Sequence, residues 1–265
     1  MSTQGSRITK IEKNRTSRAP ASIPSDPVAF ARSLNIELAP WQRALLTSSH
    51  ERVILNCSRQ SGKSTGVAIL ALHHALTTPG ALVLIVSLSL RQSELLFDKI
   101  STFYRQLGRP GGSDADSATE LTLRNGSSIV ALPGSASTIR GFTPSLVLID
   151  EAAWVPDETY YTVTPMLAVS RGRLILLSTP HGKQGIFWRA WEHEPDWMKV
   201  KVTADQCPRI AQEWLDQQRR SSPREWFDQE YCCEFVQEGS CTFNESWVQF
   251  YDPESLPYMG AIIQS

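Results

Sequence analysis

The chain has 265 residues, room for one sizeable domain with attachments or for two small ones, and long enough to bury a real core. Its 41% hydrophobic and 20% charged residues exclude collagen-like, low-complexity and wholly disordered chains. The 26 basic and 27 acidic side chains nearly cancel, to a net charge of -1, so any contact with nucleic acid must come from local patches rather than from a global field.

Residues 1–22 are polar and set Arg7, Lys10, Lys13, Arg15 and Arg18 against Glu12, which reads as a basic disordered tail, either solvated or touching nucleic acid. They lack the charged-then-apolar plan of a secretory signal. No run reaches the roughly 18–20 apolar residues of a membrane span, since Val67–Leu72 meets His73 and His74. Cys57, Cys207, Cys232, Cys233 and Cys241 form no C-x-x-C pair, and the vicinal Cys232-Cys233 has no second half at zinc-site spacing, so reduced, cytosolic thiols are expected.

From Ser25 the signals become regular. Ser25 or Asp26 caps a helix with Pro27 in its first turn, and a second helix begins near Pro40. Strands and helices then alternate: Arg52–Asn56 and Ala81–Val86 are apolar strand-length runs, followed by the helical stretches Lys63–Leu76 and Leu90–Leu107. Asn125-Gly126 between Glu120–Arg124 and Ser127–Leu132 signals a hairpin in which both turn residues tolerate positive φ. Two more buried strands follow at Leu146–Ile149 and Arg173–Leu177. Strands apolar on both faces and separated by helices imply a mostly parallel sheet flanked by helices, an α/β fold. From Ile210 the chain reads as helices whose Trp214, Trp226, Phe227 and Tyr231 are expected in the core, with Pro223 opening the second helix. The organisation expected is thus a tail over 1–22, one domain over 23–240 with a helical C-terminal subdomain, and a linker over 241–265.

The stretch from Cys57 to Thr65 sits between a strand and a helix and reads as a phosphate-binding P-loop with one departure. Gly62, Lys63 and Ser64 match G-x-x-x-x-G-K-[ST], while Cys57 stands where the first glycine belongs. The physics survives that change. Successive backbone N–H groups of Ser58, Arg59, Gln60, Ser61 and Gly62, leading into the helix start at Lys63 to Thr65, form an anion nest; Lys63 reaches the β- and γ-phosphates of ATP, and Ser64 ligates Mg²⁺.

Downstream, Leu146–Ile149 runs into Asp150 and Glu151. An aspartate at the end of such a strand can hold the magnesium water shell, and the adjacent glutamate can orient and deprotonate the attacking water. This is the additional-strand, catalytic-glutamate plan of P-loop motor ATPases, and it predicts that the strand ending in Ser178-Thr179-Pro180 lies between the other two, with both hydroxyls within reach of the γ-phosphate. Pro40-Trp41-Gln42 precedes the loop at a distance suited to gripping adenine, Gln42 at the base edge and Trp41 packing on it, although Trp41 serves equally well as core.

The ordered set Pro40-Trp41-Gln42, Ser58 to Ser64, Ile149 to Ala152 and Ser178-Thr179-Pro180, followed by His181-Gly182, Gly185 to Trp188, Phe227 to Tyr231 and Glu234-Phe235, resembles the ATPase half of the large terminase subunits of tailed bacteriophages. The resemblance runs from about Leu34 to Phe243. It implies a RecA-type ATPase that uses ATP and Mg²⁺ to drive double-stranded viral DNA through a portal protein into a capsid. The implied partners are the small terminase subunit and further copies of the chain in a ring, with no membrane, in the host cytoplasm. In this scheme Lys63 and Ser64 bind phosphate and magnesium, Asp150 completes the metal site, Glu151 is the base, and Ser178 and Thr179 couple hydrolysis to movement. Two arginines compete to stabilise transition-state charge: Arg59 inside the loop, in cis, and Arg140, in cis or in a neighbouring subunit.

Large terminases normally continue into a carboxylate-rich nuclease domain, and only a short stretch follows Phe243 here, so a truncated or split gene product or an isolated motor half without nuclease activity is expected. The rival readings are a nucleic-acid helicase or other DNA translocase, for whose second lobe the length leaves no room, and a nucleotide-binding assembly module, against which Lys63 and Glu151 argue.

Overall fold

A computed structural model describes residues 23–237; the basic tail, Cys241 and the expected linker lie outside the described residues. Helix α1 (Pro27–Ser33) is capped by Asp26, whose carboxylate accepts the Val28 and Ala29 N–H groups at 3.1 and 3.0 Å, which decides between the two expected caps. Helix α2 (Pro40–Thr47) starts on Pro40, and β1 (Arg52–Cys57) leads through the loop into α3 (Lys63–Thr77). Next come β2 (Leu82–Ser87), α4 (Leu90–Gln106), and the strands β3 (Ser113–Asp116), β4 (Glu120–Leu123) and β5 (Ser128–Pro133). A short helix α5 (Ala136–Ile139) precedes β6 (Leu146–Asp150), α6 (Asp157–Ser170) and β7 (Arg173–Ser178). The last elements are α7 (Gly185–His193), β8 (Met198–Val202), α8 (Gln212–Ser221) and α9 (Arg224–Glu230).

The strands form one sheet in the order β3-β4-β5-β2-β6-β7-β1-β8, with β5 through β8 in that row parallel and the β3-β4-β5 meander antiparallel. Strand β7 lies between β6 and β1, the position expected of the strand carrying Ser178. Alternate residues feed opposite faces. Val53, Leu55, Val83, Ile85, Leu146, Leu148, Ile175 and Leu177 pack with Phe30, Leu45, Ile69, Leu72 and Phe97 of α1 to α4. Ile54, Leu84, Val86, Val147, Ile149, Leu174 and Leu176 pack with Val163 and Leu167 of α6 and with Phe187 and Ala190 of α7. Both faces are covered, which is why these strands read as continuous apolar runs.

Three expectations change. The hairpin closes with Leu123 N–H donating to Ser127 O and Gly126 N–H to Leu123 O, a three-residue loop in which only Gly126 takes a positive φ, +83°; Asn125 instead donates from its amide to Ala75 O at the end of α3. Trp214 and Trp226, expected in the core, are 44% and 43% exposed and meet Tyr231 edge-on, because α8 and α9 lie outside both core clusters. The edge strand β8 was not anticipated, although Met198-Lys199-Val200-Lys201-Val202 alternates with the period of two, its lysines facing outward as edge strands require.

Gly172 joins α6 to β7 where a Cβ would lie 2.6 Å from Leu167 Cδ2, 2.7 Å from Pro144 O and 3.0 Å from Ser145 O. Two of those atoms are backbone and cannot step aside. Gly172→Ala should cost about 1–3 kcal/mol, the usual range for overpacking, measured as a lower urea midpoint at unchanged slope.

Candidate nucleotide-binding site

The carboxyl ends of β1, β7 and β6 are neighbours in the sheet, so the residues leaving them converge without any long loop. Cys57 is still part of β1, paired with Val202 of β8, and Ser58 N–H donates to Val202 O. An extended residue here has no need of positive φ, which accounts for a cysteine in the first glycine's place. Burial pushes the Cys57 thiol up to about 12, so it stays neutral beside the loop. The turn itself is made by Gln60 and Gly62, at φ +62° and +96°. At Gly62 a Cβ would meet Gln42 Nε2 at 3.0 Å and Arg209 Nη2 at 3.3 Å, so glycine is required for space as well as for φ.

The loop is braced from two sides. Gln42 accepts Ala39 N–H at 2.9 Å and donates to Gly62 O at 3.0 Å, while Trp41 packs against the core. Neither residue lines the cleft above the loop, so Gln42 meets the site through the backbone it holds. From the other side Arg209 donates to Gln60 O at 2.7 Å and the Cys207 thiol donates to the same oxygen at 3.3 Å.

That cleft, about 300 Å³, is lined by Arg59, Gln60, Gly62, Lys63, Ser64, Thr65, Lys99, Glu151 and Arg209. Four cations face one carboxylate, the electrostatics of a polyanion site. Lys63 Nζ lies 3.5 Å from Glu151 Oε1, and Ser178 Oγ donates to Glu151 Oε2 at 3.3 Å. Residues from three strand ends therefore meet at one carboxylate. Glu151 holds a left-handed backbone, φ +51°, a conformation that costs a non-glycine residue about 1–3 kcal/mol and recurs at functional sites. The turn it opens is pinned by Ala152 N–H donating to Leu177 O and by Trp154 stacking on His181, ring centroids 3.5 Å apart. Thr179 is buried directly after Ser178, and Ser58 Oγ is buried with no hydrogen-bond partner among the described residues.

Asp150 accepts the Glu151 N–H at 3.0 Å and is otherwise enclosed. Burial, reinforced by Glu151 and opposed by Lys63, pushes its carboxyl up to about 6. Arg59 pairs at 2.7 Å with Glu230 of α9. Arg140 is exposed at the end of α5 and lines a separate cavity with Ser135, Glu158 and Thr159, outside the phosphate cleft. Lys99, donating to Thr65 Oγ1 at 3.3 Å, and Arg209 are site residues that sequence reasoning missed. Lys99 carries no motif, and the only sign of it is a lysine on the apolar side of α4.

A carboxyl raised above its ordinary 3.8 favours folding in its protonated form below about pH 4, and that advantage disappears as pH rises through about 6. Ionised Asp150 therefore costs on the order of 3 kcal/mol at pH 8 in metal-free protein. Asp150→Asn should melt higher than the wild type at pH 8 in chelator, with the difference closing toward pH 4.

Comparison with known proteins places these features in one family. Residues 54–250 match the family model described as terminase large subunit, T4likevirus-type, N-terminal. The terminase large subunit of Thermus virus P23-45 is 24% identical over 245 residues, covering 77% of this chain and 50% of that protein, so the chain spans about half the length of such relatives. Among solved structures, the large terminase ATPase domain of Thermus phage P74-26, in a mutant form, superposes with a TM-score of 0.71 at 22% identity, over 78% of this chain and 98% of that domain. The large terminase of a thermophilic bacteriophage, solved in complex with ADP, gives 0.61 at 14%, over 75% of this chain and 54% of that one. The sheet and its flanking helices are thus those of the large terminase ATPase fold, and the chain belongs to the terminase large subunit family through that family's N-terminal part.

Proposed function

We propose that this chain is the ATP-hydrolysing motor of a terminase large subunit, converting ATP and water to ADP and phosphate while translocating double-stranded viral DNA into a procapsid. The observation that carries the reading is the meeting of Lys63, Glu151 and Ser178 at the end of the phosphate loop, in a cleft with four cations. The thermophilic bacteriophage terminase of like fold binds ADP and ATP-gamma-S, which supports a nucleotide as the ligand.

In this mechanism the loop N–H groups and Lys63 receive the phosphates, and Lys63 exchanges Glu151 for them. Ser64 and Asp150 supply a hydroxyl and a carboxylate, hard oxygen donors that fit Mg²⁺, and the buried Asp150 carboxyl has only a backbone N–H and distant cations to compensate its charge. When bound, the ion neutralises charge that develops on the phosphates. Glu151, released from Lys63 and steered by Ser178, takes the proton of the attacking water. Ser178 and Thr179 link that carboxylate to the loop stacked on Trp154, and so to movement. Arg59 serves its own site in cis, whereas Arg140, standing outside the cleft, serves a neighbouring copy in a homo-oligomeric ring. The domain is assigned to residues 23–240, with α8 and α9 as its helical C-terminal part. The portal protein, the small terminase subunit and the host cytoplasm complete the setting. No helix among the described residues is long and apolar enough to cross a membrane.

Glu151→Gln keeps the shape and loses the base. Steady-state phosphate release should fall at least about 10²-fold, with ATP binding retained. Turnover at the wild-type rate would remove Glu151 from the base role.

A further inference from the structure

The four cations of the phosphate cleft differ in what already holds them. Lys63 lies 3.5 Å from Glu151, Arg59 pairs with Glu230 at 2.7 Å, and Arg209 donates to Gln60 O at 2.7 Å. The Lys99 ammonium, reaching the cleft from α4, makes one hydrogen bond among the described residues, to the neutral Thr65 hydroxyl at 3.3 Å, and forms no ion pair there. A phosphate must compete with a carboxylate for Lys63 and for Arg59 and with a loop carbonyl for Arg209, whereas Lys99 has only a hydroxyl to give up. Lys99 is also short of compensating charge. Burial first, and then Arg209, push its ammonium below the ordinary lysine range, while Asp150 opposes them. An anion arriving beside it acts in the same sense as Asp150.

The place of Lys99 at the helix start sets which part of a nucleotide it meets. Lys63 and Glu151 mark where the terminal phosphate is attacked. Thr65 stands two residues further along α3, turned by about 200° around the helix axis from Lys63 at about 100° per residue. We propose that Lys99 is a substrate-contacting residue that binds the inner phosphates common to ADP and ATP and carries, in metal-free protein, part of the charge compensation that Mg²⁺ otherwise supplies. The inference rests on reading the cleft as a nucleotide site. A flexible four-carbon stem and three donors suit a lysine to follow a phosphate chain in either condition. Nucleotide therefore binds without metal, and the loss of Lys99 is felt most in that condition.

The test is calorimetric titration of the full chain with ADP and with ATP-gamma-S, once with Mg²⁺ and once in chelator. The wild type should bind both nucleotides in chelator. Lys99→Met keeps an apolar stem and removes the charge; it should weaken both nucleotides at least about tenfold in chelator and no more than about threefold with Mg²⁺. No loss in chelator overturns the phosphate contact. A loss confined to ATP-gamma-S overturns its placement at the inner phosphates, and an equal loss in the two buffers overturns the compensating role. Should Lys99→Met fail to fold, Lys99→Gln is read by the same criteria. A wild type that binds neither nucleotide in either buffer overturns the nucleotide reading and the proposal with it, whereas a wild type that binds only with Mg²⁺ overturns the proposal alone.

Discussion

The four central parallel strands β2, β6, β7 and β1, buried on both faces, leave the carboxyl edge of the sheet as the place where charged groups can gather, and the order β6-β7-β1 decides which ones do. Asp150 and Glu151 leave β6, Ser178 ends β7, and the phosphate loop leaves β1. A further strand inserted between β6 and β1 would separate Lys63 from Glu151 by about 4.8 Å more, and the 3.5 Å contact between them would be lost. Everything else in the site is arranged around that contact.

The site is held in a charged, incompletely compensated state. Glu151 sits in a left-handed conformation, Asp150 has a carboxyl raised toward neutrality by burial, and Lys63, Lys99, Arg59 and Arg209 crowd one cleft. Each is unfavourable alone, and the phosphate chain that the proposed function brings to the cleft would relieve most of the excess positive charge. Cations gathered at a prearranged loop need little reorganisation when the ligand arrives, and such preorganisation is the main electrostatic resource of phosphoryl-transfer sites.

Much of this was legible in the sequence because it is written locally. The loop, the acidic strand end and the hydroxyl strand end are each contiguous, and the apolar runs of β1, β2, β6 and β7 announce burial on both faces. What was hidden depends on contacts between distant segments. Trp214 and Trp226 look like core residues because they are large and apolar, yet α8 and α9 lie outside both core clusters and leave these rings 44% and 43% exposed. Gln42 reads as a base-edge residue from its distance to the loop, and its bonds to Ala39 N–H and Gly62 O, the second across twenty positions, follow no local pattern. The partner of Arg59 lies 171 positions away, and no spacing rule could have found Glu230.

The central claim is that Lys63 at the start of α3 makes this cleft a nucleotide site. Titration of Mg²⁺ and ATP-gamma-S into the wild type and into Lys63→Ala, with both shown to melt alike, addresses it most directly. The account predicts one bound nucleotide per wild-type chain and a loss of affinity of at least about 10²-fold in the variant, the scale of a charge-assisted phosphate contact in a partly enclosed site. Equal binding by the two proteins, or none by the wild type, would contradict it.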